Sequence, residues 1–174
     1  MGLYHIQIER VPGDLSDHYD PSNKVLRLSD SNYNNYSVAA LGVVAHEVGH
    51  AEQDARNYAP LRWRAGLVPV VNIGSSLGYI LFFVGLFIVP QLAWLGVALF
   101  STAAIFALVT LPVEFNASNR ALQLLSSNGL VTSDERNQAK AVLNAAALTY
   151  VAALAQSLST LLYFVFILMG RSDD

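Results

Sequence analysis

Three long segments without a charged residue constrain the fold of this 174-residue chain more than any other feature. They cover residues 67–89, 92–111 and 143–169. A helix rises about 1.5 Å per residue, so roughly 20 residues cross the hydrocarbon core of a bilayer, which is about 30 Å thick. A soluble domain of this size is too small to enclose three helices that are apolar on every side. We therefore predict a mainly α-helical integral membrane protein with three transmembrane helices in a lipid bilayer.

The composition excludes several kinds of partner and chemistry. Only 13% of the residues are charged, the formal net charge is −3, and the ten Lys and Arg residues are scattered along the chain. No basic cluster is present to neutralise phosphates, so nucleic acid is not an expected partner. Cysteine is absent, which excludes disulfides and thiol catalysis and leaves His, Asp and Glu as the strong metal ligands.

The polar N-terminal region contains the pattern of a small sheet. His5–Glu9 and Lys24–Leu28 alternate polar and apolar residues with the period of a half-buried strand. The DHYD segment at residues 17–20 lies between them and is predicted to be a polar turn. We expect these stretches to form a small β-hairpin or sheet.

A helix is predicted to follow this sheet. Ser37 is a suitable N-cap, the stretch from Val38 to about Asn57 has an apolar helical face, and Pro60 provides a stop. We predict one functional unit in two parts. Residues 1–58 contain the hairpin and this helix, and residues 59–174 contain the transmembrane part.

The transmembrane part is expected to begin with a helical hairpin, because only the Pro90-Gln91 turn separates its first two apolar segments. The more polar residues 113–140 that follow are predicted to form a cytosolic helical insert before the third span.

The sequence HEVGH at residues 46–50 lies inside the predicted helix. His46 and His50 are four residues apart, so their imidazoles lie on one face, one turn apart, and can bind a single tetrahedral ion. Glu47 follows the first ligand and can take a proton from water and return it to a leaving amine. A chance occurrence of this pattern is roughly a 0.3% event. We predict one bound Zn²⁺, an HExxH helix of the zincin kind, and Glu47 as the catalytic base.

A catalytic zinc site of this kind needs a third protein ligand. If the first two spans form a hairpin, the motif helix and the residues after the second span emerge on the same side of the membrane. Glu114 is the first charged residue after the second span, and a carboxylate at the bilayer boundary requires a partner. Glu114 is therefore the predicted third ligand.

Three other residues compete for a place in the centre. Asp54 lies one further turn along the helix from His50 and ranks second as a ligand. Asp17 and His18 belong to the polar DHYD segment. His18 could bind the metal, hydrogen-bond an oxyanion or do neither, and we keep it as a candidate catalytic residue.

The stretches DHYDP, HEVGHA, LPVEF and LNAAALTYVAA resemble the bacterial membrane-bound neutral zinc metallopeptidases of the YugP type, over about Val11 to Leu168. The arrangement is also similar to the HtpX and Ste24 membrane proteases, in which a Glu after two spans is the third zinc ligand. The resemblance implies that Glu114 binds zinc and that the substrate is a peptide or protein, with membrane proteins as candidates. In these families an Asp usually stands two residues after this Glu, whereas Asn116 stands here, which weakens the expected supporting role of that position.

The charge distribution predicts an orientation. Cationic residues precede the first span and lie between the second and third spans, whereas the Pro90-Gln91 turn carries none. The positive-inside rule therefore places the active site on the cytoplasmic side of a bacterial inner or plasma membrane.

The expected function is that of a membrane-embedded zinc endopeptidase, with an extended peptide bound against the Val25–Leu28 strand. The alternative is a non-catalytic zinc-binding membrane assembly or scaffold protein. An intramembrane protease is less favoured, because polar residues flank the motif helix.

Overall fold

The computed structural model describes residues 2–171 of the chain, and Met1 and residues 172–174 lie outside the described part. Three strands come first, followed by a short helix and four longer helices. They are β1 (Gln7–Val11), β2 (His18–Asp20), β3 (Val25–Ser29), α1 (Asp30–Tyr33), α2 (Val38–Ala55), α3 (Ala59–Phe87), α4 (Pro90–Ser127) and α5 (Ser133–Arg171). The prediction of a mainly α-helical protein with a small sheet is confirmed.

The three strands form one sheet in the order β1-β3-β2. β1 pairs in parallel with β3, so that Gln7 lies opposite Val25, and β2 pairs antiparallel with β3, so that Tyr19 lies opposite Leu26. The two stretches predicted as strands therefore do pair, but the hairpin form of the prediction is wrong because they run in the same direction. β3 occupies the centre of the sheet with both edges paired, so the expectation that a peptide pairs with Val25–Leu28 is also wrong.

The DHYD segment forms strand β2 instead of the predicted turn. Side chains of a strand alternate between the two faces of the sheet. Tyr19 is buried on one face. Asp20 points to the other face, where it accepts a hydrogen bond of 2.7 Å from Arg27 on β3. This short segment pairs with β3 and contributes one buried aromatic ring and one cross-strand ion pair to the sheet.

Helix α2 begins where the sequence predicts. The Ser37 side chain accepts a hydrogen bond of 3.1 Å from Ala40 N–H, which confirms the predicted N-cap. The helix ends at Ala55, close to its predicted end. Pro60 does not act as a stop, because α3 begins at Ala59 and a proline in the first turn loses no intrahelical hydrogen bond.

In the described part of the chain, α3, α4 and α5 are long and apolar enough to cross a membrane, which confirms the three predicted spans. The polar region between the second and third spans does not start a new helix, because α4 continues through Pro112 to Ser127. α5 begins at Ser133 after a capping box, in which Thr132 and Glu135 each bind the other's backbone N–H.

The chain groups into two compact units. The first contains the residues up to Arg62 together with Pro112–Leu148, and the second contains Trp63–Leu111 together with the chain from Thr149 onward. The core of the first unit consists of Ala45, Ala121, Leu122, Leu125, Ala139 and Leu143. The core of the second consists of Phe82, Ala93, Val97, Phe100, Phe164 and Leu168. The predicted functional boundary between residues 58 and 59 stays a prediction.

Within the first unit, α2 and α4 come into direct backbone contact at one glycine. A Cβ atom at Gly49 would lie 2.6 Å from Ala117 O and 3.2 Å from Ala117 Cα. Non-bonded atoms do not approach this closely, so no larger residue fits without moving a helix. At Gly42, on the same helix, an added Cβ would meet Ala139 Cβ at 3.5 Å, which is ordinary van der Waals distance.

We expect Gly49→Ala to destabilise the protein, because the added methyl group would push α4 away from α2. Overpacking of this kind costs about 1–3 kcal/mol. Thermal denaturation of the purified protein in detergent should show a lower midpoint than the wild type.

Gly42→Ala is the matched control for that variant. It adds the same methyl group to the same helix, at a position where the new Cβ meets its neighbour at ordinary van der Waals distance. Alanine also favours a helix over glycine by up to about 1 kcal/mol. Its midpoint should equal or exceed that of the wild type. Equal midpoints for the two variants would contradict the close contact at Gly49.

Candidate metal centre

His46 and His50 lie one turn apart on α2, as their spacing predicts. Their ring centroids are 4.7 Å apart and the rings are nearly perpendicular, at 88°. Both side chains are mostly buried. The two rings therefore present nitrogen atoms to one small region beside α2.

Glu114, on α4, is the acidic residue that reaches this region. One of its carboxylate oxygens lies 3.1 Å from His46 Nε2, and the other lies 3.7 Å from His50 Nε2. One ligand atom from each of the three residues lies within 4.8 Å of the other two. Glu114 is only 2% exposed, so its carboxylate is held among these groups and not in water.

The remaining ring nitrogens have partners of their own. His50 Nδ1 lies 3.0 Å from Gln53 Oε1, and His46 Nδ1 lies 3.2 Å from Ser118 Oγ. Metal-binding histidines usually bond through one nitrogen and hydrogen-bond through the other. Two imidazoles and a carboxylate are a donor set that zinc accepts in catalytic sites. The residues present therefore fit a zinc ion.

Glu47 is a buried carboxylate next to these groups. Its Oε2 accepts a hydrogen bond of 2.9 Å from the backbone N–H of Tyr19 in strand β2. Burial raises the pKa of Glu47 to about 7, against the lowering effects of the neighbouring His46 side chain and of the Tyr19 hydrogen bond. A carboxyl group with this pKa can both accept and donate a proton near neutral pH.

The competing ligand candidates are engaged elsewhere. Asp54 accepts hydrogen bonds from Tyr19 Oη at 2.7 Å and from Lys24 Nζ at 2.5 Å. Asp17 accepts from the backbone N–H and the hydroxyl of Ser29, at the end of β3. Neither residue belongs to the group formed by the two histidines and Glu114.

His18 lies on β2 beside Tyr19, and adjacent side chains of a strand point to opposite faces. Its ring contacts Ser16 O at 2.8 Å and Arg27 at 3.4 Å. These contacts do not include a residue of the candidate centre. A catalytic role for His18 stays a prediction, and it does not enter the proposal below.

Two residues of the centre were missed by the reasoning from the sequence. Gln53 lies three residues after His50 and Ser118 lies four residues after Glu114, so each shares a helix face with a candidate ligand. This spacing is the signal that could have identified them. Asn116, expected to have a weakened supporting role, accepts hydrogen bonds from Gln53 at 3.0 Å and from Arg120 at 2.7 Å.

Comparison with known proteins identifies the family to which the chain belongs. Residues 1–169 match the family described as "Putative neutral zinc metallopeptidase", and the chain belongs to this family. A relative from Bacillus subtilis (strain 168), "Putative membrane protease YugP", is 47% identical over 174 residues, which cover 99% of this chain and 77% of the relative. The resemblance inferred from the sequence is thus confirmed. No solved structure matches the chain.

The ligand assignment can be tested by metal analysis. We expect the wild type to retain zinc through dialysis and Glu114→Ala to lose most of it, because an oxygen ligand is removed. Asp54→Ala, the matched control, should retain zinc, since Asp54 bonds Tyr19 and Lys24 instead. Zinc loss from the Asp54 variant with retention by the Glu114 variant would reverse the assignment.

Proposed function

We propose that this chain is a membrane-embedded zinc endopeptidase that hydrolyses peptide bonds with Glu47 as the base. The observation that supports this most directly is the convergence of His46, His50 and Glu114 beside the buried Glu47 carboxylate. The family and the relative's name agree with a peptidase at the membrane.

A bound zinc ion would act as a Lewis acid that polarises a substrate carbonyl and makes water more acidic. His46, His50 and Glu114 would hold it, and three protein ligands leave a coordination position for the reaction. Glu47 then takes the proton from the attacking water. The protonated Glu47 then returns this proton to the leaving nitrogen.

Because of the Tyr19 hydrogen bond, we propose different roles for the two carboxylate oxygens of Glu47. Oε2 accepts the Tyr19 N–H, which fixes the orientation of the carboxylate. Proton transfer therefore falls to Oε1. The same contact brings strand β2 next to Glu47.

Glu47→Gln tests the role of the base. The amide keeps the shape of the side chain but cannot take a proton, so cleavage of casein or a membrane-protein substrate should fall by about 10²–10⁴-fold. The variant should still bind zinc, because Glu47 is not a proposed ligand.

Glu9→Gln makes the same chemical change at an exposed ion pair with Arg27 and should leave cleavage unchanged. Full activity in Glu47→Gln would refute the proposed base. Zinc binding by the wild type without any cleavage that depends on Glu47 would favour the alternative, a non-catalytic zinc-binding membrane assembly or scaffold protein.

We further propose that the metal centre faces the cytoplasm of a bacterial cell. Five cationic residues lie in the chain just before the first span or between the second and third. They are Arg62, Arg64, Arg120, Arg136 and Lys140. In contrast, Ile88 and Val89 between α3 and α4 are uncharged, as are Pro90 and Gln91, which form the start of α4 and not the predicted turn.

The chain contains no cysteine, so single cysteines can report this orientation directly. Gln91 and Asn128 are both exposed. A membrane-impermeant maleimide added to intact cells should label Gln91→Cys, whereas Asn128→Cys should be labelled only after permeabilisation. The reverse pattern would show that the centre faces the outside.

A further inference from the structure

Gln53 connects a proposed zinc ligand on α2 to the backbone of α4. Its side chain is completely buried, at 0% exposure. Its Oε1 lies 3.0 Å from His50 Nδ1, and its Nε2 lies 2.8 Å from Val113 O and 3.0 Å from Asn116 Oδ1. A buried amide with three partners has little freedom to rotate.

Two neighbouring groups, one that can only accept a hydrogen bond and one that can only donate, determine how the Gln53 amide is oriented. Val113 O is a carbonyl and can only accept, so the Gln53 atom that faces it must be the NH₂ group. Arg120 can only donate, and its Nε lies 2.7 Å from the Asn116 side chain, so the Asn116 atom there must be oxygen. This oxygen also requires a donor from Gln53. The Gln53 oxygen is therefore the atom that faces His50.

An amide oxygen can only accept, so His50 Nδ1 must carry a hydrogen. In a neutral imidazole the other nitrogen, Nε2, then carries the free lone pair. His50 Nε2 faces Glu114 at 3.7 Å, inside the candidate centre. A neutral imidazole with a free lone pair is the form that binds a metal ion.

His46 has a partner with a different property. Its Nδ1 lies 3.2 Å from Ser118 Oγ, and a hydroxyl group can either donate or accept. Ser118 is therefore compatible with both tautomers of His46. Ser118, unlike Gln53, therefore does not by itself select the tautomer of its histidine.

We propose that Gln53 is a positioning residue that sets His50 in the Nδ1-protonated tautomer and so directs its Nε2 lone pair into the metal centre. The inference rests on the proposed zinc centre. Gln53 acts through His50 and needs no contact with the substrate, as is usual for the outer partners of metal-binding histidines.

The tautomer can be measured without metal and without activity. The probe is nitrogen NMR of ¹⁵N-histidine-labelled, zinc-free protein in detergent at about pH 8, above the ordinary pKa of histidine. The His50 signals, assigned with a His50→Asn variant, should show a protonated Nδ1 and an unprotonated Nε2. In Gln53→Leu the two tautomers should mix, whereas in Ser118→Ala the His50 signals should not change.

Zinc affinity gives an independent measurement. Gln53→Leu should raise the zinc Kd by about 10–100-fold, the usual effect of losing an outer partner. Ser118→Ala should weaken binding less than Gln53→Leu does.

The outcomes separate this inference from the proposed function. A wild-type His50 that is protonated at Nε2 overturns the inference, even where Gln53→Leu does not fold. A His50 that keeps the Nδ1-protonated tautomer in folded Gln53→Leu overturns it too, because Gln53 would then not set the tautomer. A wild type that binds no zinc overturns the proposed function, and the NMR result still decides whether Gln53 sets the tautomer.

Discussion

The backbone contact between Gly49 and Ala117 is the constraint on which the metal centre depends. Gly49 directly precedes His50, and Ala117 lies about one turn after Glu114, so this close approach of α2 and α4 lies beside the proposed ligands. A side chain at position 49 would separate the helices and move the Glu114 carboxylate away from the two imidazoles. The glycine of HEVGH thus has a packing role, because it lets α4 bring Glu114 close to the two histidines on α2.

The features that could be predicted from the sequence are those that depend on local pattern. The three spans follow from uncharged segments long enough for a bilayer, and the start of α2 follows from Ser37 as N-cap. The parallel pairing of β1 with β3 could not be predicted, because the segment between them was expected to be a turn. In the structure this segment contains β2, a strand of three residues, and the chain reverses direction before and after it. What holds β2 in place is Tyr19, which bonds Glu47 and Asp54 on α2, and these contacts between distant residues leave no mark in the segment DHYD.

The candidate site, like the fold, could be predicted only in part from the sequence. The spacing of HEVGH identifies His46, Glu47 and His50 as candidates for the site. A hairpin of two spans adds Glu114 as the candidate third ligand, and its role as a ligand stays a proposal. The spacing of Gln53 from His50 places both on one helix face, but it does not show that Gln53 is buried, because a polar residue near the end of a helix is usually exposed. Its role can be recognised only in the structure, where α4 covers Gln53 and the groups around its amide allow one orientation of donor and acceptor.

The central claim is that two imidazoles and one carboxylate hold a single zinc ion at the contact of α2 with α4. Zinc K-edge X-ray absorption of the purified protein tests it most directly, because the spectrum reports the type and number of coordinating atoms. The account predicts one zinc per chain with two imidazole ligands and oxygen ligands, at about 2.0–2.2 Å. A spectrum with fewer than two imidazoles, or a protein that binds no zinc, would contradict it.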